Sequence, residues 1–319
     1  GFVNVDGLVG SSTADDLITG RHADAFWSID GTNQYTAIVD LTLTGTETDY
    51  DAKKAIVQSR TALLTNGSPV VLDFAGFETL QGGNQNDIFE FGGAQTHSVL
   101  GGDDEDYFIF NAGASLTGTL DGQAGRDTLD YNAGSGGAYA TSVALALTGL
   151  GTTNGFAGTA SNITGSFDNI GEIVGGSAID SLAGLDVDST WDVEIHPTFS
   201  RYTGSARTLN FALIDTLLGG SAADRFDFVD NVTLSGNVDG NGGDDTLDFG
   251  DYTSVRNFAL TVLGTTDGFD GTVNGLALGF ADINIITGGS ALDTLTGMDA
   301  DSHWAINTAN AGIYTSTKT

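Results

Sequence analysis

The chain contains no cysteine, only two prolines and one methionine, and it sets 10 basic residues against 42 acidic ones over 319 positions. The missing cysteines exclude disulfides and thiol chemistry. The scarcity of basic residues, at a net charge of −32, excludes nucleic acid as a partner, because phosphates demand Lys and Arg. The same charge disfavours anionic membrane surfaces. No apolar run reaches the roughly 18 residues of a spanning helix, so no membrane insertion is expected. No secretory leader pattern is present and the first residue is Gly1 rather than Met. A processed or excised piece is therefore expected.

Glycine, at 47 residues, and apolar side chains, at 40%, are what the chain has in quantity. That is too much apolar material for a disordered acidic tail. Its order is repetitive. Residues 151–191 overlay residues 264–304 without a gap, each pair 113 positions apart from Gly151/Gly264 to Trp191/Trp304, with 21 of 41 positions identical. Residues 10–27 are a looser third copy with one extra residue, so Trp27, Trp191 and Trp304 share one sequence frame. Such self-similarity marks stacked architectures in which each unit lends its neighbour a face to bury.

A shorter period runs inside the long one. Residues 82–91 (GGNQNDIFEF) and 101–110 (GGDDEDYFIF) match at a step of 19. The pattern is a Gly-Gly turn, a polar triplet, Asp, then alternating apolar residues, and it recurs as GGSAIDSLAG, GGSAADRFDF and GGSALDTLTG. Alternation with period two reads as a half-buried strand, with Phe89, Phe91, Phe108, Phe110, Phe226 and Phe228 turned inward or between coils. Gly-Gly supplies the positive backbone angles of a tight corner. The expected fold is all-β: a single parallel β-solenoid (β-helix or β-roll) over 1–319, with about 19–24 residues per coil. Internal repeats fall at approximately 1–73, 74–210 and 211–319.

One segment breaks the pattern. Residues 49–66 lack glycine and place Ala52, Ile56, Ser59 and Leu63 at helical spacing, which predicts a short inserted amphipathic helix. Its Lys53, Lys54 and Arg60 either lie on the flank or make lateral contacts to an acidic neighbour. Both termini carry ordinary repeat sequence rather than caps, so end-to-end self-association or membership of a longer tandem array is expected.

The Gly-Gly-x-x-x-Asp turns resemble the glycine- and aspartate-rich nonapeptides of RTX calcium-binding β-rolls. The frame FxxxDxLxGGSxxDxL…W is similar to the tandem-repeat regions of giant bacterial surface proteins of the adhesin or haemagglutinin type. The first resemblance implies calcium held between turns by carbonyls and by the sixth-position aspartates, here Asp15, Asp87, Asp106, Asp180, Asp224 and Asp293. Those turns lack the family's third glycine and are mostly isolated. The stronger metal candidates are therefore Asp103, Asp104 and Asp106 in GGDDED, Asp121 and Asp127 in DGQAGRD, and Asp239, Asp244 and Asp245 in DGNGGDD. Oxygen-only ligand sets suit calcium. The competing reading is that each Asp closes its own turn on backbone amides.

Two function classes follow. One is an extracellular, cell-surface structural or adhesive solenoid forming a stalk, fibre or surface-layer element, with no catalytic site. The alternative is a β-helix polysaccharide lyase or hydrolase. Symmetry separates them: a catalytic site is unique, whereas most acidic residues here recur with the repeat, and the arginines form no cluster in sequence.

Overall fold

The computed structural model describes residues 7–11, 15–37, 49–66, 71–308 and 311–316, with positions 37, 60–66 and 308 described as backbone only. The regular structure is nearly all β, and the one helix among the described residues is Tyr50–Asn66. It divides into two compact units. The first comprises Gly1–Leu182, His196–Ser200 and Ala206–Ile214; the second comprises Ala183–Ile195, Arg201–Ser205 and Asp215–Thr319.

In the first unit, short strands stack in parallel rows. One row runs Ala25–Ile29, Asp87–Phe91, Tyr107–Phe110, Asp127–Asp130, the end of Ile163–Val174, then Arg207–Ala212. A second runs Leu17–Thr19, Thr79–Gln81, Ser98–Gly102, Leu120–Gln123 and the middle of Ile163–Val174. The second unit repeats the plan with Ser189–Val193, Asp224–Phe228, Thr246–Asp248 and Ile285–Thr287. The tightest steps pair Ile88 with Tyr107, Tyr107 with Thr128, and Arg225 with Thr246, spacings of 19 and 21 within the expected range.

Other steps are longer than the sequence period predicts. Thr128 pairs with Glu172, and Thr246 with Ile285. The extra residues leave the stack as antiparallel hairpins, Ala144–Leu150 with Phe156–Ala160 and Asn257–Leu263 with Phe269–Val273. A uniform coil is thus only part of the architecture. Short loops allow antiparallel pairing wherever a step has residues to spare.

The inward faces are aromatic ladders. Trp27 stacks on Phe89 at 5.4 Å between centroids and Phe89 on Phe108 at 5.3 Å, while Phe91, Phe110 and Tyr131 stack at 4.7 and 5.4 Å. In the second unit Trp191 stacks on Phe226 and Phe228 on Phe249. In-register parallel pairing places like residues above one another, so one Phe per step becomes a continuous stack.

The helix explains a difference between the units. Asp49 caps it, its Oδ1 accepting the Ala52 N–H at 3.0 Å. Its buried face is Tyr50, Lys53 and Val57, not the Ala52/Ile56/Ser59 stripe: Ala52 and Ser59 are exposed and Ile56 is half-buried. Leu63 lies outside the described side chains. Val57 packs on Ile88, Tyr107, Ile109 and Ala133, residues that point away from the aromatic ladder. Asp87–Phe91 and Tyr107–Phe110 are consequently buried on both faces. The matching strand Asp224–Phe228 has no such cover and carries Arg225 and Asp227 on its outer face.

Lys53 is spent inside this contact, its Nζ 2.7 Å from Glu172 Oε1 with both side chains buried, and it sits over the Tyr107 ring. It is thereby removed from the lateral contacts expected of it. Lys54 is half-buried with its Nζ 5.9 Å from the Tyr50 ring centroid, and the Arg60 side chain lies outside the described residues.

The three tryptophans sit in one repeated hairpin. Trp27 faces Tyr35, Trp191 faces Tyr202 and Trp304 faces Tyr314 across antiparallel strands, each pair 4.6 Å apart at 61–62°. Each tyrosine hydroxyl accepts the N–H of Arg21, Leu185 or Met298 at 2.9 Å. The residue before each of these is Gly20, Gly184 or Gly297, where a Cβ would press on the indole at 2.9–3.0 Å. Equivalence ends outside the hairpin: Trp27 and Trp191 are 0% exposed, Trp304 is 44%. Replacing Trp27 or Trp191 by Ala is expected to cost about 3–5 kcal/mol in urea denaturation. Trp304→Ala should cost under about 1 kcal/mol, since little is buried there. Equal costs at the three sites would contradict this packing.

Candidate functional site

The recurring chemistry is a glycine followed five residues later by an aspartate. A Cβ on Gly82, Gly101, Gly122, Gly219, Gly240 or Gly288 would run into Oδ2 of Asp87, Asp106, Asp127, Asp224, Asp245 or Asp293 respectively. Glycine is needed because a carboxylate lies against its backbone. In the ordinary turn Oδ2 accepts the next N–H along: Gly83 to Asp87 at 2.7 Å, Gly176 to Asp180 at 2.6 Å, Gly220 to Asp224 at 2.7 Å and Gly289 to Asp293 at 2.7 Å. In the first copy this role belongs to Asp16, which accepts the Ser11 N–H, while Asp15 is exposed. The extra residue of that copy shifts the carboxylate by one.

Oδ1 reaches to another strand. The Asp87 N–H donates to Asp106 at 2.8 Å and the Asp106 N–H to Asp127 at 2.9 Å. Likewise Asp224 donates to Asp245 at 2.8 Å and Asp245 to Asn284 at 3.0 Å. The aspartates therefore form buried ladders, one per unit. Burial is the main cause of raised pKa values along them. Asp87 and Asp245 are pushed up to about 7, the first despite hydrogen bonds from Gly83 and Trp27, the second with Asp224, Asp267 and Asp244 adding repulsion. Asp106 and Asp127 lie well above the usual carboxylate range, again through burial first. For Asp106 the neighbours Asp127, Asp87 and Asp104 add to it; for Asp127, Glu105 and Asp121 do.

Each acidic cluster holds one inward carboxylate and spreads the rest outward. Asp103, Asp104 and Asp244 are exposed, while Asp121 and Asp239 are half-buried. Asp121 and Asp239 accept the N–H of Gln123 at 2.8 Å and of Asn241 at 2.9 Å, closing local turns with those residues at φ 68° and 62°. Those N–H groups are the ones that Oδ2 of Asp127 and Asp245 would otherwise accept. Accordingly Oδ2 of Asp127 and Asp245 is buried with no hydrogen-bond partner, and Oδ2 of Asp106 is likewise without one. All three orphan oxygens fall in the clusters singled out for metal.

Among the described residues no three or more His, Asp or Glu side chains converge on one point. The oxygen set is thin for calcium, which takes six to eight oxygens. A proton satisfies an orphan Oδ2 with fewer demands, and the raised pKa values run in that direction.

Two parts of the site escaped sequence reasoning. The tyrosines follow their tryptophans by 8, 11 and 10 residues, so a gap-free overlay stops at the indole. Asn169 and its counterpart Asp282, both left-handed, each gather two N–H groups of the GTTNG and GTTDG turns. Their 113-residue offset was the available signal. Compared with protein-family models, curated proteins and solved structures, the chain matches none.

Proposed function

We propose that this chain is a structural repeat segment: a β-solenoid of an extracellular bacterial surface protein, serving as stalk, fibre or surface-layer element by stiffness and repetition, without catalysis. The observation that carries the reading is the Trp–Tyr hairpin, built three times with one geometry, together with an aspartate ladder in each unit. Repetition of the most specific features is what a stacked array requires and what a single active site does not. The arginines support it too. Arg207 donates to the Gly151 and Gly155 carbonyls, Arg225 pairs with Asp227 and Asp248, and Arg256 lies 3.9 Å over Tyr252, so these three hold the fold together. The test is turnover: the chain should leave a panel of neutral and uronic-acid polysaccharides uncut, and reproducible cleavage of any one would replace this reading with the lyase or hydrolase.

Calcium, which the resemblance implies, belongs to the proposal at the orphan oxygens of Asp106, Asp127 and Asp245. Binding to the folded state alone at about 100 times Kd adds about 2.7 kcal/mol, which for a chain of this size is a rise of several degrees in Tm. The rise should be larger at pH 8, above the value of about 7 to which Asp87 and Asp245 are raised, than at pH 5. Identical melting in calcium and in chelator at pH 8 would take calcium out of the function.

A further inference from the structure

The third Trp hairpin repeats, side chain for side chain, the set with which the second one holds a parallel strand. In the second unit, Ser189–Val193 holds the strand Asp224–Phe228 in parallel, with Ser189 opposite Asp224, Trp191 opposite Phe226 and Val193 opposite Phe228. Four side chains receive it. Asp186 and Asp188 accept the N–H groups of Ser221 at 3.0 Å and Ala223 at 3.3 Å, the Ser189 hydroxyl donates to Asp224 Oδ1, and Trp191 stacks on Phe226. Every one of these recurs 113 residues on, as Asp299, Asp301, Ser302 and Trp304.

The receiving hairpin is already formed there. Ser302–Thr308 pairs with Ala311–Ser316, and Trp304 has its Tyr314 partner in place. Yet this hairpin stands as a separate two-stranded sheet, and among the described residues no parallel strand lies on its flank. Asp299, Asp301, Ser302 and Trp304 are all exposed, and Ile306, the counterpart of buried Val193, is 73% exposed. An open strand edge beside an apolar hollow formed by Leu295, Trp304, Ile306 and Tyr314 is a template for strand addition.

We propose that this edge binds, in parallel, a polypeptide segment of the pattern Gly-Gly-x-x-x-Asp-x-Phe-x-Phe presented by a partner chain. Its Asp takes the Ser302 hydroxyl, its first Phe covers the open face of Trp304, and its second packs on Ile306. Asp299 and Asp301 accept the amides of the x-x-x turn. The second glycine is required because at the internal site a Cβ on Gly220 would strike the Leu185 carbonyl, whose counterpart belongs to Met298. This deepens the structural-segment reading by naming what the stack accepts, and it needs neither calcium nor a surface location.

The probe is the peptide Gly-Gly-Ser-Ala-Ala-Asp-Arg-Phe-Asp-Phe-Val-Asp, residues 219–230 of this chain, added to the intact protein. Trp27 and Trp191 are buried, so acrylamide quenching reports Trp304. The peptide should blue-shift emission and abolish quenching, and a version with both phenylalanines replaced by serine should do neither. Asp301→Ala, which leaves the Trp304 reporter in place, should weaken the response. Equal response to both peptides, no response, or a Trp304 already protected in a self-associated species would overturn the proposal. The polysaccharide assay is independent of this result, so the two readings fail separately.

Discussion

Lys53→Ala and Glu172→Ala should each destabilise the protein by about 3–5 kcal/mol, because either change leaves a charge buried without its partner. Glu172 is fully enclosed, accepting from Lys53 at 2.7 Å, from the Thr128 hydroxyl at 3.2 Å and from Asn210 at 3.3 Å. The lysine is the helix's only buried cation among the described side chains, so losing it should also loosen Tyr50–Asn66 from the strands below. The double variant Lys53→Met with Glu172→Gln keeps the volume and the amide-facing acceptor while removing both charges. It should recover most of the loss, since a neutral pair of similar shape avoids the desolvation cost. Urea denaturation of wild type, Lys53→Met, Glu172→Gln and the double variant gives the coupling energy directly. A Lys53→Ala cost below about 1 kcal/mol would mean that the ammonium escapes to water and the buried pair is not what holds the helix.

Stability should fall as pH rises from 4 to 8 in the absence of divalent cations. Asp87 and Asp245 are raised from 3.8 to about 7 and Asp130 to about 6. Asp106 and Asp127 are raised as well. Below 3.8 both folded and unfolded chains hold these protons. Between 3.8 and those raised values only the folded chain does. Asp87 and Asp245 up to about 7, and Asp130 up to about 6, therefore each shed about 1.4 kcal/mol of stability per pH unit. The raised Asp106 and Asp127 act in the same direction. Above the raised values the loss is complete. Repulsion within a chain of net charge −32 adds to the same trend. Asp106→Asn isolates the ladder: the amide oxygen still accepts the Asp87 N–H, as Asn284 accepts that of Asp245, but no charge develops. That variant should melt higher than wild type at pH 8 and nearly level with it at pH 5. Thermal stability that increases from pH 5 to pH 8 would show that the ladder carboxylates are ionised in the fold.

Much of the strand plan is legible residue by residue. Alternation in IFEF, YFIF and RFDF gives the inward phenylalanines, and the 19-residue match between Gly82 and Gly101 gives one step of the stack, because a strand's side-chain period is fixed at two. The outer residues carried a further signal. Ile88, Tyr107 and Ile109 are apolar where Arg225 and Asp227 are charged, which marks the strands that the helix covers. The helix itself was visible, but its face was not. Ala52, Ile56, Ser59 and Leu63 make a smoother apolar stripe than Tyr50, Lys53 and Val57, and no local rule predicts that a lysine belongs inside until Glu172 is seen beneath it.

For the aspartates, the RTX-like resemblance and the density of acids beside glycine singled out the three acidic clusters, and in each the inward aspartate has a buried Oδ2 without a donor. Spacing could not tell which inward carboxylates lack a donor: at Asp127 and Asp245 that follows from the left-handed Gln123 and Asn241, which give their N–H to Asp121 and Asp239 instead. The sequence by itself determined the repeat, the strand periodicity, the glycine–aspartate turns and the place of the helix, all of which follow from local backbone geometry and covalent order. Tertiary structure alone decided the partners: Lys53 with Glu172, each tryptophan with its tyrosine, each ladder aspartate with the amide of another strand. Those contacts join residues that loops of differing length bring together, and only the packed chain fixes the burial that sets their energies.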